Sequence, residues 1–257
     1  MRPSPVRLYS CHSSSVSCAD IRPLLSFAFR IKGTPYSRGK FGGRAQVPAC
    51  VNDIGQSEPV YIRARPQPRS VVTRNVARDR SKILLLRGIN LGPNRRVAMP
   101  ELRALLSDAG FEDVRTYVAS GNVVLTSGLS ADKLGAKSEK LIAERFGFDV
   151  DVIVRTADEL ADVVRLNPLE GVVDNPKRYQ VSFCDGEPDP KAVEKAAAAA
   201  APSERLVAVG RELYAWHPDG VGRSKMWTKL AGSGLGVRAT ARNWTTVTTL
   251  LEMASES

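Results

Sequence analysis

Two short loops carry side chains able to hold a polar or anionic molecule. Arg87-Gly88-Ile89-Asn90 follows an apolar run, and Ser120-Gly121-Asn122 lies between two others. Glycine lets a backbone approach a ligand closely, and free N–H groups there can receive an anion. Arg87 would add charge, while Asn90 and Asn122 would add amide donors and acceptors. Gly and Asn are also the residues that tight turns need for backbone reasons, so a purely structural reading stands beside this one. A second group is more strongly charged. Gly222-Arg223-Ser224-Lys225 and Arg242-Asn243-Trp244 are each expected at the start of a helix. Backbone N–H groups and the helix dipole favour anions there. Arg223, Lys225 and Arg242 would place three cations at two such ends, unless they pair with acids such as Asp219 or Glu212.

Other chemistry is poorly represented. Neither a Gly-x-Ser-x-Gly elbow nor a phosphate-binding P-loop occurs. Gly232-Ser233-Gly234-Leu235-Gly236 is glycine-rich but follows a helical pattern, which does not suit dinucleotide binding. Asp149 and Asp151 read as an exposed strand edge rather than an acid pair. His217 precedes a Pro218-Asp219-Gly220 turn and has no evident fixed partner. Cys184 ends an apolar strand and reads as a small hydrophobe. The two histidines, His12 and His217, do not join cysteines at zinc-like spacing. No metal, cofactor or catalytic assignment follows, and enzymatic activity stays open.

The elements that must position these loops are legible from periodicity. Lys82–Leu86 reads as a buried strand. Met99, Leu102, Leu105, Leu106 and Ala109 recur at helical spacing, with Pro100 in the first turn and Gly110 past the end. Val114–Val118 and Asn122–Thr126 are strands around the Ser120-Gly121 turn. A helix follows, with Ser130 as its cap and Gly147 as its stop, and then a strand over Val150–Arg155. Thr156 to Leu166 is a connecting helix with Thr156 and Glu159 as a capping box. The pattern then returns. It comprises a strand at Tyr179–Phe183, a helix over Pro190–Ala201, and a hairpin of Leu206–Val209 and Leu213–Trp216. After these come a helix over Arg223–Ala231, a short strand over Val237–Ala239, and a last helix over Trp244–Met253. The expected fold is α+β, with two ferredoxin-like β-α-β-β-α-β units over 81–155 and 156–257, the second including the connecting helix. In such a unit the first and second strands run parallel with the third between them. The loops at 87–90 and 120–122 therefore open at one sheet edge. Trp244 has Val247, Leu250 and Leu251 at helical spacing and reads as core.

Charge position narrows the partners. The net charge of +10 suggests nucleic acid or a membrane. The first 80 residues carry 14 Lys and Arg against 4 Asp and Glu, and the remainder carries 23 of each. The neutral part offers no broad basic footprint for nucleic acid. Residues 1–80 also hold 8 of the 16 prolines and show no hydrophobic periodicity. They read as a disordered basic extension or a misplaced start, with a transit-type leader or a nucleic-acid arm as alternatives. Val71, Val72 or Val76 could mark a later start. No run approaches the ~18 apolar residues of a membrane helix. Cys184 alone in the neutral part fits a reducing, cytoplasmic setting.

The ordered motifs also carry a resemblance. Leu85-Leu86-Arg87-Gly88-Ile89-Asn90-Leu91-Gly92, then Met99, Leu102-Arg103 and Leu105-Leu106, then Gly110-Phe111 and Asp113–Tyr117, then Ser120–Val124, resemble the opening of the bacterial domain-of-unknown-function family 1697. Gly222–Lys225 and Arg242–Val247 are similar to its closing motifs, so the likeness runs from about Lys82 to Met253. It implies a two-domain α+β fold with ferredoxin-like character and no particular activity. Pro93 stands where the family commonly has Gly and stiffens that loop; Ala119 and Ala241 replace a common Gln and Thr, and if those side chains contact a ligand the contact would differ here.

Two functions follow as expectations. The leading one is a protein holding a small phosphorylated or carboxylated ligand through Arg87, Gly88, Asn90, Ser120, Asn122, Arg223, Ser224, Lys225, Arg242 and Asn243. The alternative is a structural or protein-interaction module without catalysis, in which the motif loops bond internally. Oligomeric state is not readable from the sequence.

Overall fold

The computed structural model describes residues 8–10, 61–64, 80–231 and 233–256. Two short strands come first, β1 (Leu8–Ser10) and β2 (Tyr61–Ala64). The readings of the first 80 residues as a disordered extension, a later start, a leader or an arm otherwise lie outside the described residues.

Strand β3 (Ser81–Leu86) is buried along its whole length; its Ile83–Leu86 run is apolar on both faces, as covered sheet faces require, and Ser81 and Lys82 are buried polar residues ahead of it. It leads to helix α1 (Met99–Asp108), strands β4 (Glu112–Tyr117) and β5 (Asn122–Thr126), helix α2 (Ala131–Phe146) and strand β6 (Val152–Thr156). The sheet order is β4-β5-β3-β6, with every neighbour antiparallel. Helix α3 (Ala157–Leu166) connects to the second unit. That unit comprises β7 (Tyr179–Cys184), α4 (Pro190–Ala197), β8 (Arg205–Val209), β9 (Glu212–Trp216), α5 (Lys225–Ala231) and β10 (Ala239–Asn243). Its order, β8-β9-β7-β10, repeats the first, again antiparallel throughout. This is the α+β, split βαβ order expected twice from the sequence. Strands β2 and β1 extend the β8 side, each paired parallel to its neighbour. Helix α6 (Trp244–Ser255) closes the chain.

Local signals act as anticipated. Ser130 accepts from the Lys133 N–H, Gly147 takes φ 77°, and Thr156 and Glu159 form a reciprocal capping box. Several boundaries differ. Helix α4 stops at Ala197, where the Ala199 and Ala200 N–H groups turn to carbonyls three residues back and tighten the chain ahead of Pro202. Strand β10 spans Ala239–Asn243 rather than Val237–Ala239, because its pairing with β7 runs on to Asn243 opposite Gln180. Helix α5 begins at Lys225, and Arg223 lies in a preceding 3₁₀ turn, Val221–Arg223.

Three apolar clusters layer the molecule. Leu84, Leu86, Val123, Leu125, Val152 and Val154 face Leu102, Leu106, Leu134 and Ile142 of α1 and α2. Leu206, Ala208, Leu213 and Ala215 face Val193, Met226 and Leu230 of α4 and α5. The other faces of both sheets, with Leu160 and Val163 of α3 and Val247 and Leu250 of α6, form one central cluster. The two units thus share a core, which fixes the end of one sheet against the other. Among the described residues no helix is long and apolar enough to cross a membrane.

Candidate functional site

The two glycine–asparagine loops meet at one end of the first sheet. The Leu86 N–H donates to the Gly121 carbonyl at 2.8 Å. Asn90, at φ 55°, donates its Nδ2 to Ala119 O at 2.7 Å and to Val97 O at 3.0 Å, while its Oδ1 accepts from the Val97 N–H at 2.9 Å. Asn122 is fully buried, and its Nδ2 donates to Tyr117 O and Ser120 Oγ, each at 3.0 Å. Of the amides expected to face a ligand, Asn90 therefore ties one loop to the other and Asn122 closes its own turn. Gly88, at φ 67°, and Gly121, at φ 79°, occupy left-handed conformations that disfavour side chains.

Arg242 completes this end from the second unit. It lies in strand β10 immediately before Asn243, the N-cap of α6, so the Arg242-Asn243-Trp244 run does open a helix. Alternation along the strand turns Thr240 and Arg242 inward, and both are buried. The Nε donates to Asn122 Oδ1. One terminal nitrogen donates to Leu86 O at 2.8 Å and to Ser120 O and Gly121 O at 3.2 Å each. The other donates to Ala241 O at 2.7 Å and Thr240 Oγ1 at 2.9 Å. All these partners are neutral. Burial lowers the guanidinium's pKa to about 10, so Arg242 is still cationic at neutral pH. A planar fork of donors suits three converging carbonyls in a way that an ammonium does not. Its donors are thus engaged within the protein.

Charged side chains reinforce the same junction. Arg87 pairs with Asp151 at 3.0 Å. Asp151 also lies 3.5 Å from Arg238, which holds Asp185 at 2.7 Å and Glu139 at 2.9 Å. Asp151, anticipated as an exposed edge, belongs to a half-buried network joining the two units.

The remaining predicted residues serve elsewhere. Asn243 caps α6 by accepting from the Thr246 N–H at 2.9 Å, and Trp244 stacks on Tyr179 with centroids 4.9 Å apart. Ser224 accepts from the Trp227 N–H at 2.8 Å. Arg223 and Lys225 are exposed and form no hydrogen bond or ion pair among the described residues. The acid proposed for them, Glu212, instead pairs at 3.0 Å with Arg155, whose side chain is 1% exposed. Arg87, Gly88, Asn90, Ser120, Asn122 and Arg242 are brought together; Arg223, Ser224, Lys225 and Asn243 do not bond to them.

Two features escaped the sequence reading. His217 has a fixed partner after all: its Nδ1 lies 2.7 Å from Glu204 Oε1, and the ring is buried. Trp227 meets it edge-on at 5.5 Å, and its Nε2 is buried without a partner. Burial pushes its pKa down, and Glu204 opposes that shift. Glu204 precedes the β8–β9 hairpin, so only the pairing of those strands brings it to His217. The second feature is apolar. Leu91 is 87% exposed and Val118 is 51% exposed, one on each motif loop. Val118 has φ 47°, a costly conformation for a β-branched residue. The visible sign was an apolar side chain within each Gly/Asn-rich stretch.

A family model described as a protein of unknown function, DUF1697, matches residues 80–214. The match takes in both glycine–asparagine loops and ends before Gly222–Lys225 and Arg242. The fold is similar to that of conserved bacterial protein SP0830 from Streptococcus pneumoniae, with 24% identity and a TM-score of 0.55. That likeness covers 68% of this chain and 98% of SP0830. No curated protein matches.

Proposed function

We propose that this chain, which belongs to the DUF1697 family of proteins of unknown function, is a non-catalytic binding module that presents a preformed rim to a protein partner. The rim is formed by the 87–97 and 117–121 loops, on two units of ferredoxin-like order in a cytoplasmic protein. The carrying observation is that Leu91 and Val118 are exposed on loops whose polar groups are bonded to each other and to Arg242. Single exposed apolar residues are ordinary. Two on adjoining loops, one held in a strained conformation, are supported as a contact surface by the cost of keeping them there. Exposed Arg96 beside them favours a partner whose apolar patch is bordered by acids. Buried, free Cys184 supports the reducing setting.

A photo-cross-linking amino acid at position 91 of the full chain, used in the cells that make it, tests this. The expected result is a discrete adduct that Val118→Asp with Arg96→Glu removes, and that the same probe at exposed Lys140 does not give. Identical adducts from both positions, or one untouched by the substitutions, would overturn the reading.

The small-anion reading is supported only by exposed, unpaired Arg223 and Lys225. Titration with inorganic phosphate, following the backbone resonances of 222–226, would favour it if saturable shifts appear there and vanish in Arg223→Ala with Lys225→Ala.

A further inference from the structure

Strand β8 closes one side of the second four-stranded set, and its last four residues, Leu206-Val207-Ala208-Val209, are buried and uncharged. Leu206 and Ala208 face one apolar cluster while Val207 and Val209 face another. Both faces of β8 are therefore committed to packing, and only its outer backbone edge is open to a further strand. An uncharged edge without proline or bulge is a template for another chain, and proteins generally block such edges. Here β2 lies along it in parallel register, Tyr61 opposite Leu206 through Ala64 opposite Val209, and β1 lies outside β2. The strand that does this lies ahead of the family match, which starts at residue 80.

We infer that Tyr61–Ala64 is a resident cap for the β8 edge, supplied in cis, and that it prevents the same edge from pairing with a second copy of the protein. The segment ahead of residue 80 would then have a negative role, keeping the molecule monomeric, rather than contacting nucleic acid. The cap is held mainly by backbone hydrogen bonds, because a strand added to an edge gains its affinity from the ladder. Proline removes that ladder's donors without altering the family unit. Consecutive strand residues turn their N–H groups to opposite sides, so one of positions 62 and 63 must donate toward β8.

The test uses the full chain with Ile62→Pro and Arg63→Pro together, and a control with Ile62→Thr, which keeps every N–H. Hydrogen exchange is read on peptides covering 205–209, and association by sedimentation velocity across a concentration series. The expected result is at least about tenfold faster exchange for the β8 amides facing β2. A concentration-dependent dimer should accompany it in the proline variant only, with unchanged exchange in 81–86 showing that the fold persists. Unchanged exchange at 205–209 would overturn the proposal. So would a wild-type dimer in which positions 62 and 207 cross-link between copies, because the strand would then be supplied in trans.

Discussion

Replacing Arg242 with Met keeps an unbranched stem out to about the position of Nε and removes all the donors. Leu86 O and Asn122 Oδ1 would then lose the guanidinium in a buried place, while Gly121 O keeps the Leu86 N–H and Ser120 O belongs to an exposed residue. Each buried acceptor left unmatched costs about 1–3 kcal/mol, although neighbours in one network do not add. Relief from burying a cation with only neutral partners offsets part of that sum. With two such acceptors and that relief, the net loss should be about 2–4 kcal/mol. For a folded part of this size it lowers Tm by roughly 4–16 °C. Urea unfolding followed by far-UV circular dichroism gives the value, with an unchanged m confirming that the native state is still compact. Arg223→Met, which removes an exposed and unpaired cation, is the control and should fall within about 0.5 kcal/mol of wild type. If Arg242→Met costs under 1 kcal/mol, or no more than Arg223→Met, Arg242 does not fasten the two units.

Other consequences follow from the same contacts. Gly121→Ala should destabilise by about 2–4 kcal/mol, combining left-handed strain with overpacking, since its Cβ would meet Leu86 Cβ at 2.7 Å and Ile89 Cδ1 at 2.8 Å. Gly88→Ala shares the positive φ but meets nothing within 4 Å, and should cost only about 1 kcal/mol by urea denaturation. His217 is held below its ordinary pKa by burial, so its folded state favours the neutral ring. Its contribution to stability is therefore present above the unfolded value of 6.5 and is lost as pH falls below it. Thermal melts from pH 8 to pH 5 should show this loss, and His217→Gln should flatten it.

Periodicity and turn chemistry carried most of the fold into view. The apolar runs at 82–86 and 179–183, the capping box at Thr156 and Glu159, and glycine stops such as Gly147 are local signals, each acting within a few residues. They were enough to infer that the 87–90 and 120–122 loops open at one end of a sheet. The role of Arg242 was not legible, because it depends on the register of β10 against β7 and on how the second unit leans on the first. Contacts 120 residues apart, such as Arg242 with Asn122, leave no local trace. The His217–Glu204 pair was missed for the same reason, since Glu204 lies before the hairpin that returns His217 to it. Residue type alone also left the direction of the side chain open: Arg beside Asn and Trp suggested an anion site, and strand alternation directs Arg242 toward protein carbonyls.

Arg242 is spent inside the protein and fastens the motif loops from behind. Side-chain ¹⁵N spectra of the arginine Nε–H groups, recorded while inorganic phosphate is added, address it most directly. The Arg242 Nε–H should be slow to exchange with solvent and should not move with phosphate, even if Arg223 does. A saturable phosphate-induced shift of Arg242, together with Gly88 and Ser120, would contradict it and make the junction a ligand site.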